Sequence, residues 1–163
     1  MRGVCWEGAG KIDESALTPL RELGADWISE TPFGWASSTT SPEIRFSSEG
    51  GLWGETDAGL IATAAWARKL GIKTLLKPHL WVRHGAWQGD LAMADDAQWA
   101  QWFASYEAFI LHYARLAETN GFDVSPLRQS LLRQIDEPRA LTKRVWPGED
   151  WRSRTNVGSR DEF

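Results

Sequence analysis

The alternation of apolar and polar positions along the chain predicts a repeated unit of strand and helix. Apolar residues recur at helical spacing over about residues 14–23, 58–70 and 96–119. Short apolar runs over about residues 3–6, 27–31, 72–80 and 122–124 are typical of buried strands. Strands and helices therefore alternate along the chain, and this order predicts a parallel sheet with right-handed crossovers.

Short signals mark the ends of the predicted helices. Asp57 is the predicted N-cap of the second helix, and Asp95 or Asp96 is that of the third, because a carboxylate there accepts from the first backbone N–H groups. Glu55 precedes the second helix as well. Glycine, which readily adopts the left-handed conformation, stands where each helix should give way to the next strand, at Gly24, Gly71 and Gly121.

The third predicted strand carries polar and aromatic side chains at alternate positions. If the strand continues through Pro78, then Lys77, His79 and Trp81 share one face, although a proline can also mark where a strand opens into a loop. A cation, an imidazole and an indole at the carboxyl end of a strand suit a polyhydroxylated ligand. The alternative is an ordinary barrel strand with satisfied polar groups and a packed Trp, and these three residues alone do not separate the two.

Other candidate residues also follow the predicted strands. Because the carboxyl ends of parallel strands meet at one edge of a sheet, loops after different strands should converge there. We therefore expect one pocket at this edge, with core packing of Trp35 and Trp81 as the competing interpretation. Its predicted ligand-binding residues are Trp35, Lys77, His79, Trp81, Trp87 and Asp90.

Composition narrows the class of protein. The 163 residues are 25% charged and 42% hydrophobic, with a formal net charge of −4, which favours neither disorder nor nucleic-acid binding. Cys5 stands alone, so no internal disulfide is possible. The sequence contains no signal peptide and no apolar run long enough to cross a membrane, so we expect a soluble chain of unknown location. Tryptophan is abundant at 11 residues, and indoles suit both cores and the flat faces of pyranose rings.

Two common kinds of site are disfavoured. Residues 7–10 contain two glycines after the first strand but lack the third glycine and the downstream acid of a dinucleotide-binding fold. The histidines His79, His84 and His112 do not have metal-ligand spacing, and His112 is expected at the surface of the third helix. We therefore predict no metal and no cofactor.

Several motifs, in order, resemble those of glycoside hydrolase family 113, the bacterial β-mannanase-type barrels. They are Asp26-Trp-Ile-Ser-Glu-Thr-Pro-Phe-Gly-Trp35, Trp53-Gly-Glu-Thr-Asp57, Ile72-Lys-Thr-Leu-Leu-Lys-Pro-His-Leu-Trp81 and Trp87-Gln-Gly-Asp90. The resemblance runs through Val124 and implies an α/β fold, a (β/α)₈ TIM barrel that hydrolyses β-linked mannan with retention. It implies one glutamate as acid/base after the fourth strand and another as nucleophile after the seventh, with carboxyl groups about 5–5.5 Å apart.

The chain departs from the family after Val124. Ser125-Pro-Leu-Arg-Gln-Ser stands where the family has an apolar strand ending in a Gly-Thr-Glu-Leu type motif. Residues 125–163 hold seven arginines against six in the preceding 124 residues, and prolines interrupt every periodicity. We interpret residues 1–124 as a partial barrel and residues 125–163 as an irregular, divergent tail, frameshifted or disordered, with a genuine linker or a short basic helix as the alternative.

Length agrees with this division. A complete barrel takes about 250 residues, so the chain supplies about three and a half of the eight βα repeats. Neither catalytic glutamate has a counterpart, and the tail glutamates Glu137, Glu149 and Glu162 lack strand context, so we assign no catalytic residue.

Three functional hypotheses follow. The chain is a glycoside hydrolase-like protein, inactive as written; or a noncatalytic remnant that still binds mannan-type saccharides; or a half-barrel that folds only by association through its open edge.

Overall fold

A computed structural model of the protein describes residues 2–7, 10–46 and 51–123. Two three-stranded sheets and three helices make up this part of the chain. The strands are β1 (Gly3–Trp6), β2 (Trp27–Glu30), β3 (Phe33–Ala36), β4 (Ile44–Phe46), β5 (Lys73–Leu76) and β6 (His79–Val82), and the helices are α1 (Thr18–Glu22), α2 (Asp57–Lys69) and α3 (Asp96–Asn120).

The first sheet is the parallel sheet that the sequence predicts. Its order is β1-β2-β5, with β1 and β5 both parallel to β2. Ile28 of β2 packs with Leu17, Ala67 and Ile72, which anchors α2 and the turn before α1 on one face of this sheet. A parallel sheet with covering helices agrees with the predicted partial barrel.

The second sheet prolongs the first. Its order is β4-β3-β6, where β3 and β6 are parallel and β4 is antiparallel to β3. The four-residue strands β3 and β6 follow β2 and β5 after a break at Pro32 and at Pro78.

The pairing register does not change across the two prolines. Trp27 pairs with Lys73 and Glu30 with Leu76 before the break, and beyond it Phe33 pairs with His79, each residue 46 positions from its partner. Pro32 and Pro78 are thus opposite each other, and neither has an N–H to donate. Two bonds span the gap: the Lys77 N–H donates to the Glu30 carbonyl at 2.8 Å and the His79 N–H to the Pro32 carbonyl at 2.9 Å.

The alternation of burial is therefore continuous from β2 into β3. Even-numbered residues from Ile28 to Ala36 are buried, whereas the odd-numbered ones are partly buried or exposed. From Lys73 to Val82 the odd-numbered residues are again the more exposed ones. A period of two maintained through both prolines means that each composite strand keeps the same two faces.

Helix α3 covers the even-numbered face of the second sheet. Phe109, which is fully buried, lies against Gly34 of β3, where an added Cβ would come within 2.8 Å of its ring. The Ile44 N–H donates to Ser105 Oγ at 2.8 Å, which ties β4 to the same helix. The larger of the two apolar cores is formed here, by Ile44, Leu60, Ala64, Leu76, Met93, Trp102, Phe109, Tyr113, Ala117 and Phe122.

Several sequence predictions are confirmed and several are wrong. The three helices, the strand at residues 3–6 and the Asp95 cap are confirmed, and Asp95 Oδ1 accepts from the Gln98 N–H at 2.8 Å. The predicted strand over residues 72–80 is instead two strands, because Pro78 interrupts it. The helix N-cap is Thr56 rather than Asp57: Thr56 is extended and its Oγ1 accepts from the Gly59 N–H, so Asp57 is already helical.

The predicted strand at residues 122–124 is described only in part. Phe122 and Asp123 are not in a strand, and Val124 lies outside the described residues, as does the whole predicted tail from 125 to 163. Asp123 Oδ2 accepts from the Thr74 N–H at 3.2 Å, so the chain returns beside β5 at this point. No helix in the described ranges is long and apolar enough to cross a membrane.

Replacement of Gly34 by alanine tests the packing of α3 on the second sheet. The new Cβ would stand 2.8 Å from Phe109 Cε2 and 3.0 Å from Ile44 Cγ2. Phe109 cannot move aside, because it also packs on Phe46 and Tyr113 with centroids 5.4 Å away in each case. We expect Gly34→Ala to lower the free energy of unfolding by about 1–3 kcal/mol in urea denaturation.

Gly10 supplies the matched control for this experiment. No atom lies within 4 Å of a Cβ added to Gly10, so Gly10→Ala should leave the unfolding midpoint almost unchanged. Equal midpoints for Gly34→Ala and the parent protein would show that the helix does not pack on β3 as described.

Candidate functional site

Four rings on adjacent strands form one exposed patch on the odd-numbered face of the second sheet. Phe33 pairs with His79 and Trp35 with Trp81 across β3 and β6. The ring centroids are 5.8 Å apart for Phe33 and His79 and 6.2 Å apart for Trp35 and Trp81. Phe33 also contacts Trp35 at 5.9 Å and Trp81 at 6.2 Å, so the patch is continuous. We call Phe33, Trp35, His79 and Trp81 the four-ring cluster.

Two rings of the cluster are partly open to solvent. Trp35 is 40% exposed and Trp81 is 41% exposed, although large aromatic side chains are usually well covered. On the opposite face of β3, Gly34 is buried against Phe109 of α3, and Ala36 is buried as well. Trp35 and Trp81 are therefore only partly covered by the described residues, and the choice between a ligand-binding site and core packing stays a prediction.

The remaining predicted residues lie near the cluster in sequence but are not in ring contact with it. Lys77 is exposed and alternates with His79 and Trp81, as predicted, one position before Pro78. Trp87 and Asp90 lie beyond β6, around a short 3₁₀ turn at Gln88–Asp90. Within the described ranges, no aromatic contact joins Trp87 to the four-ring cluster.

Two residues of this region, one in the cluster and one in β2, were missed by sequence reasoning. Phe33 was overlooked because Pro32 reads as the end of a strand, yet the alternation of Phe33 with Trp35 was a usable signal. Glu30 was overlooked because a single acid in a strand is usually a solvent-facing residue.

Glu30 is a buried carboxyl group at the end of β2. It is only 1% exposed, and neither of its oxygens has a hydrogen-bond partner among the described residues. The residue that pairs with Glu30 is Trp6 of β1. Its indole N–H is also buried and has no hydrogen-bond partner among the described residues. Burial raises the pKa of Glu30 to about 9, so the group is neutral at pH 7.

A second set of polar residues lies near the start of α2. His112 Nε2 lies 2.9 Å from Asp57 Oδ1, and the imidazole packs edge-on against Tyr113. His112 is therefore a partly buried partner of Asp57, and its prediction as a surface residue was wrong. Burial, and secondarily the negative charge of Glu7, raises the pKa of the Glu55 carboxyl group.

The four-ring cluster does not line the groove that the structure describes. A groove of about 620 Å³ lies elsewhere, between Phe46 and the second half of α3, and contains no predicted site residue. Within residues 2–7, 10–46 and 51–123, no three His, Cys, Asp or Glu side chains are grouped so that they could hold a metal ion.

Comparison with protein-family models identifies the relatives of this chain. The model of Glycoside Hydrolase Family 113 matches residues 6–133, which include every predicted site residue and continue past Val124. Among curated proteins, none matches the chain.

Solved structures of the same family share the fold. The GH113 β-mannanase AaManA from Alicyclobacillus acidocaldarius, in complex with ManMIm, is 24% identical with a TM-score of 0.66, and the match covers 78% of this chain and 45% of that one. A GH113 β-1,4-mannanase is 25% identical with a TM-score of 0.56, covering 81% and 44%. A complex of a GH113 β-1,4-mannanase is 22% identical with a TM-score of 0.62, covering 88% and 50%.

The chain thus spans about half the length of the mannanase structures it matches. Those structures are TIM barrels, so the described part corresponds to part of such a barrel and the predicted fold class is confirmed.

Replacement of Glu30 by glutamine tests its neutral, buried state. Glu30 has a pKa of about 9 in the folded chain and 4.5 as the reference value. Between these values the unfolded chain releases the proton and the folded chain keeps it. The free energy of unfolding should therefore fall as pH rises from 4.5 to 9, by at most about 1.4 kcal/mol per pH unit from this group, and level off above.

Glu30→Gln should flatten this slope, because the amide does not titrate, while Glu22→Gln on the exposed surface of α1 should keep it. Urea denaturation at five pH values between 5 and 9 measures both. Parallel stability curves for Glu30→Gln and the parent protein would mean that Glu30 is already ionised at neutral pH.

Proposed function

The chain belongs to glycoside hydrolase family 113, and we propose that it binds β-linked, mannan-type oligosaccharides on the four-ring cluster without hydrolysing them. The observation that carries this proposal is the exposure of Trp35 and Trp81 as adjacent, paired rings on one face of a sheet. The names of the matching β-mannanase structures support the choice of saccharide.

The chemistry of the cluster suits a sugar ring. The C–H face of a pyranose is apolar and flat, and it gains from contact with an indole face. His79 lies beside Phe33 in the same patch and supplies ring nitrogens for sugar hydroxyl groups. Lys77, exposed on the preceding turn, adds a further donor. Apolar surface with a few polar groups at its margin is the usual composition of a saccharide site.

The absence of hydrolysis is inferred from the sequence. Retaining hydrolysis needs an acid/base and a nucleophile on opposite sides of the scissile bond. The family places its glutamates after the fourth and seventh strands, and residues 125–130 lack a glutamate in the first of these positions. Loss of either group removes the covalent route.

A structural role is the second candidate, and a different observation favours it. In the described ranges, β1 and β5 each pair only with β2, so each has one edge without a strand. The face of this sheet that carries Cys5 and Lys73 is exposed as well. A strand edge without a partner can pair with a strand of another chain. Association of two copies through the edge of β1 or β5 is therefore the alternative function.

Substitution within the cluster tests sugar binding. Trp35→Ala and Trp81→Ala should each weaken the binding of mannotetraose about tenfold, because each removes an exposed stacking face. Isothermal titration of the purified full chain measures the change, and circular dichroism checks the fold. Phe103→Ala is the matched control, since Phe103 is a similarly exposed aromatic residue on α3.

Equal losses in Phe103→Ala and the cluster variants would argue against a specific site. An absence of binding in the parent protein, together with a mass in light scattering that rises with concentration, would favour the structural role instead.

An activity assay tests the second half of the proposal. The purified chain should release no reducing sugar from β-mannan above a buffer blank, because residues 125–130 offer no glutamate at the first family position. Release that persists through further purification, and that is abolished by Trp81→Ala, would contradict the proposed inactivity.

A further inference from the structure

Helix α3 ends at the dipeptide Asn120-Gly121, a sequence with a chemistry of its own. An asparagine that precedes glycine readily loses its side-chain amide, because glycine has no side chain to hinder attack by its own backbone nitrogen. The chain has one other asparagine, Asn156, which is followed by the branched residue Val157. Asn120 is therefore the residue at which spontaneous deamidation is chemically favoured.

Hydrogen bonds at the end of α3 hold both of the groups that would react. Asn120 Nδ2 donates to the Leu116 carbonyl at 2.8 Å, so the amide that would leave is bonded to the helix. The N–H of Gly121 donates to the Ala117 carbonyl, and the Phe122 N–H donates to the same oxygen at 3.0 Å. Gly121 has a left-handed conformation, with φ of 68°, which is usual for the residue that ends a helix. The nitrogen that would attack is thus bonded as well.

Arg68 of α2 stabilises the same turn from outside α3. Its Nη2 donates to the Asn120 carbonyl at 2.7 Å and to the Gly121 carbonyl at 2.8 Å. The last carbonyl groups of a helix have no partner within the helix, and a cation near them also opposes the negative end of the helix dipole. Arg68 therefore ties the closed end of α3 to the neighbouring helix.

Deamidation requires this turn to open. The backbone nitrogen of Gly121 must give up its proton and attack Cγ of Asn120. A new C–N bond then closes a five-membered imide, the bond to the side-chain nitrogen breaks, and ammonia leaves. Water hydrolyses the imide at either carbonyl and yields aspartate or isoaspartate. Because Asn120 is helical and Gly121 is bonded to Ala117, the rate should follow the fraction of molecules in which the end of α3 is open.

We propose that Asn120 is a deamidation site that the folded turn protects, and that Arg68 is the residue that maintains this protection. A carboxylate at position 120 would have no hydrogen to donate to the Leu116 carbonyl, and its charge would lie at the negative end of α3. A modified molecule would therefore keep a weakened end of α3, close to the point where Asp123 accepts from the Thr74 N–H of β5. Saccharide binding is not needed for this chemistry.

The rate of deamidation in the full chain tests the proposal. Purified protein is incubated at mildly alkaline pH, and peptide mapping by mass spectrometry follows the mass increase at Asn120. The parent protein should react at least about tenfold more slowly than a synthetic peptide with the sequence of residues 118–123, because its turn must open first. Arg68→Ala should raise the rate in the full chain about tenfold, since it removes two charge-assisted hydrogen bonds.

Lys69→Ala is the matched control. Lys69 is the next residue of α2 and is also exposed, but its ammonium group donates to Glu14 at 2.7 Å and not to α3. This variant should deamidate at the rate of the parent protein. Asn120→Gln removes the reactive side chain and should abolish the mass increase in the same peptide, which assigns the signal to Asn120.

Hydrogen exchange measures the opening of the turn directly. The amides of Gly121 and Phe122 should exchange faster in Arg68→Ala than in the parent protein, whereas the amide of Tyr113 in the middle of α3 should be unchanged. Faster exchange of Tyr113 as well would indicate general destabilisation and would contradict a local role of Arg68.

Each comparison can overturn one part of the proposal. Deamidation of the parent protein as fast as that of the peptide would show that the folded turn gives no protection. A parent rate in Arg68→Ala, or an equal increase in Lys69→Ala, would show that Arg68 does not maintain the protection. The comparison of parent protein with peptide involves no substitution, so it tests the protection even if a variant does not fold.

Discussion

The constant register between the two composite strands is the constraint on which the rest of the structure depends. β2 and β3 on one side, and β5 and β6 on the other, are each broken by a proline, and the two prolines are opposite each other. One residue inserted into or removed from one strand alone would shift the pairing and turn every later side chain to the opposite face. Because both strands break together, the second sheet keeps the face assignment of the first.

The two faces of the second sheet then take opposite roles. On the face toward α3 the side chains of β3 are small, and Gly34 lets the ring of Phe109 approach the backbone of this strand. On the other face the side chains are large and exposed, and they form the four-ring cluster. Helix α3 packs behind the strands, so the alignment of the exposed indoles depends on the packing of the sheet and not on a bound ligand.

The sequence correctly predicted the helices and strands that depend on local periodicity. The helices at residues 57–69 and 96–120 and the strand at residues 3–6 follow from apolar spacing and from the residues at their ends. It failed where a distant partner decides the outcome. Pro32 was taken as a terminus because only the opposing Pro78 makes continuation possible, and His112 was placed at the surface because only Asp57 reveals its role. The contact between Trp87 and Gly89 has no periodic signature, since it depends on the fold of a single loop.

The matched prolines also bear on how this segment can vary between related genes. A side chain changes face with every residue added or removed, so a one-residue deletion between β2 and β3 would direct Trp35 at α3 and Gly34 at solvent. A two-residue change would restore the faces but leave Pro32 opposite an N–H or carbonyl group of an unbroken strand. Length changes here should therefore be inherited only in pairs, in both strands at once. Alignments that place a single gap between Glu30 and Phe33 should be treated as misaligned.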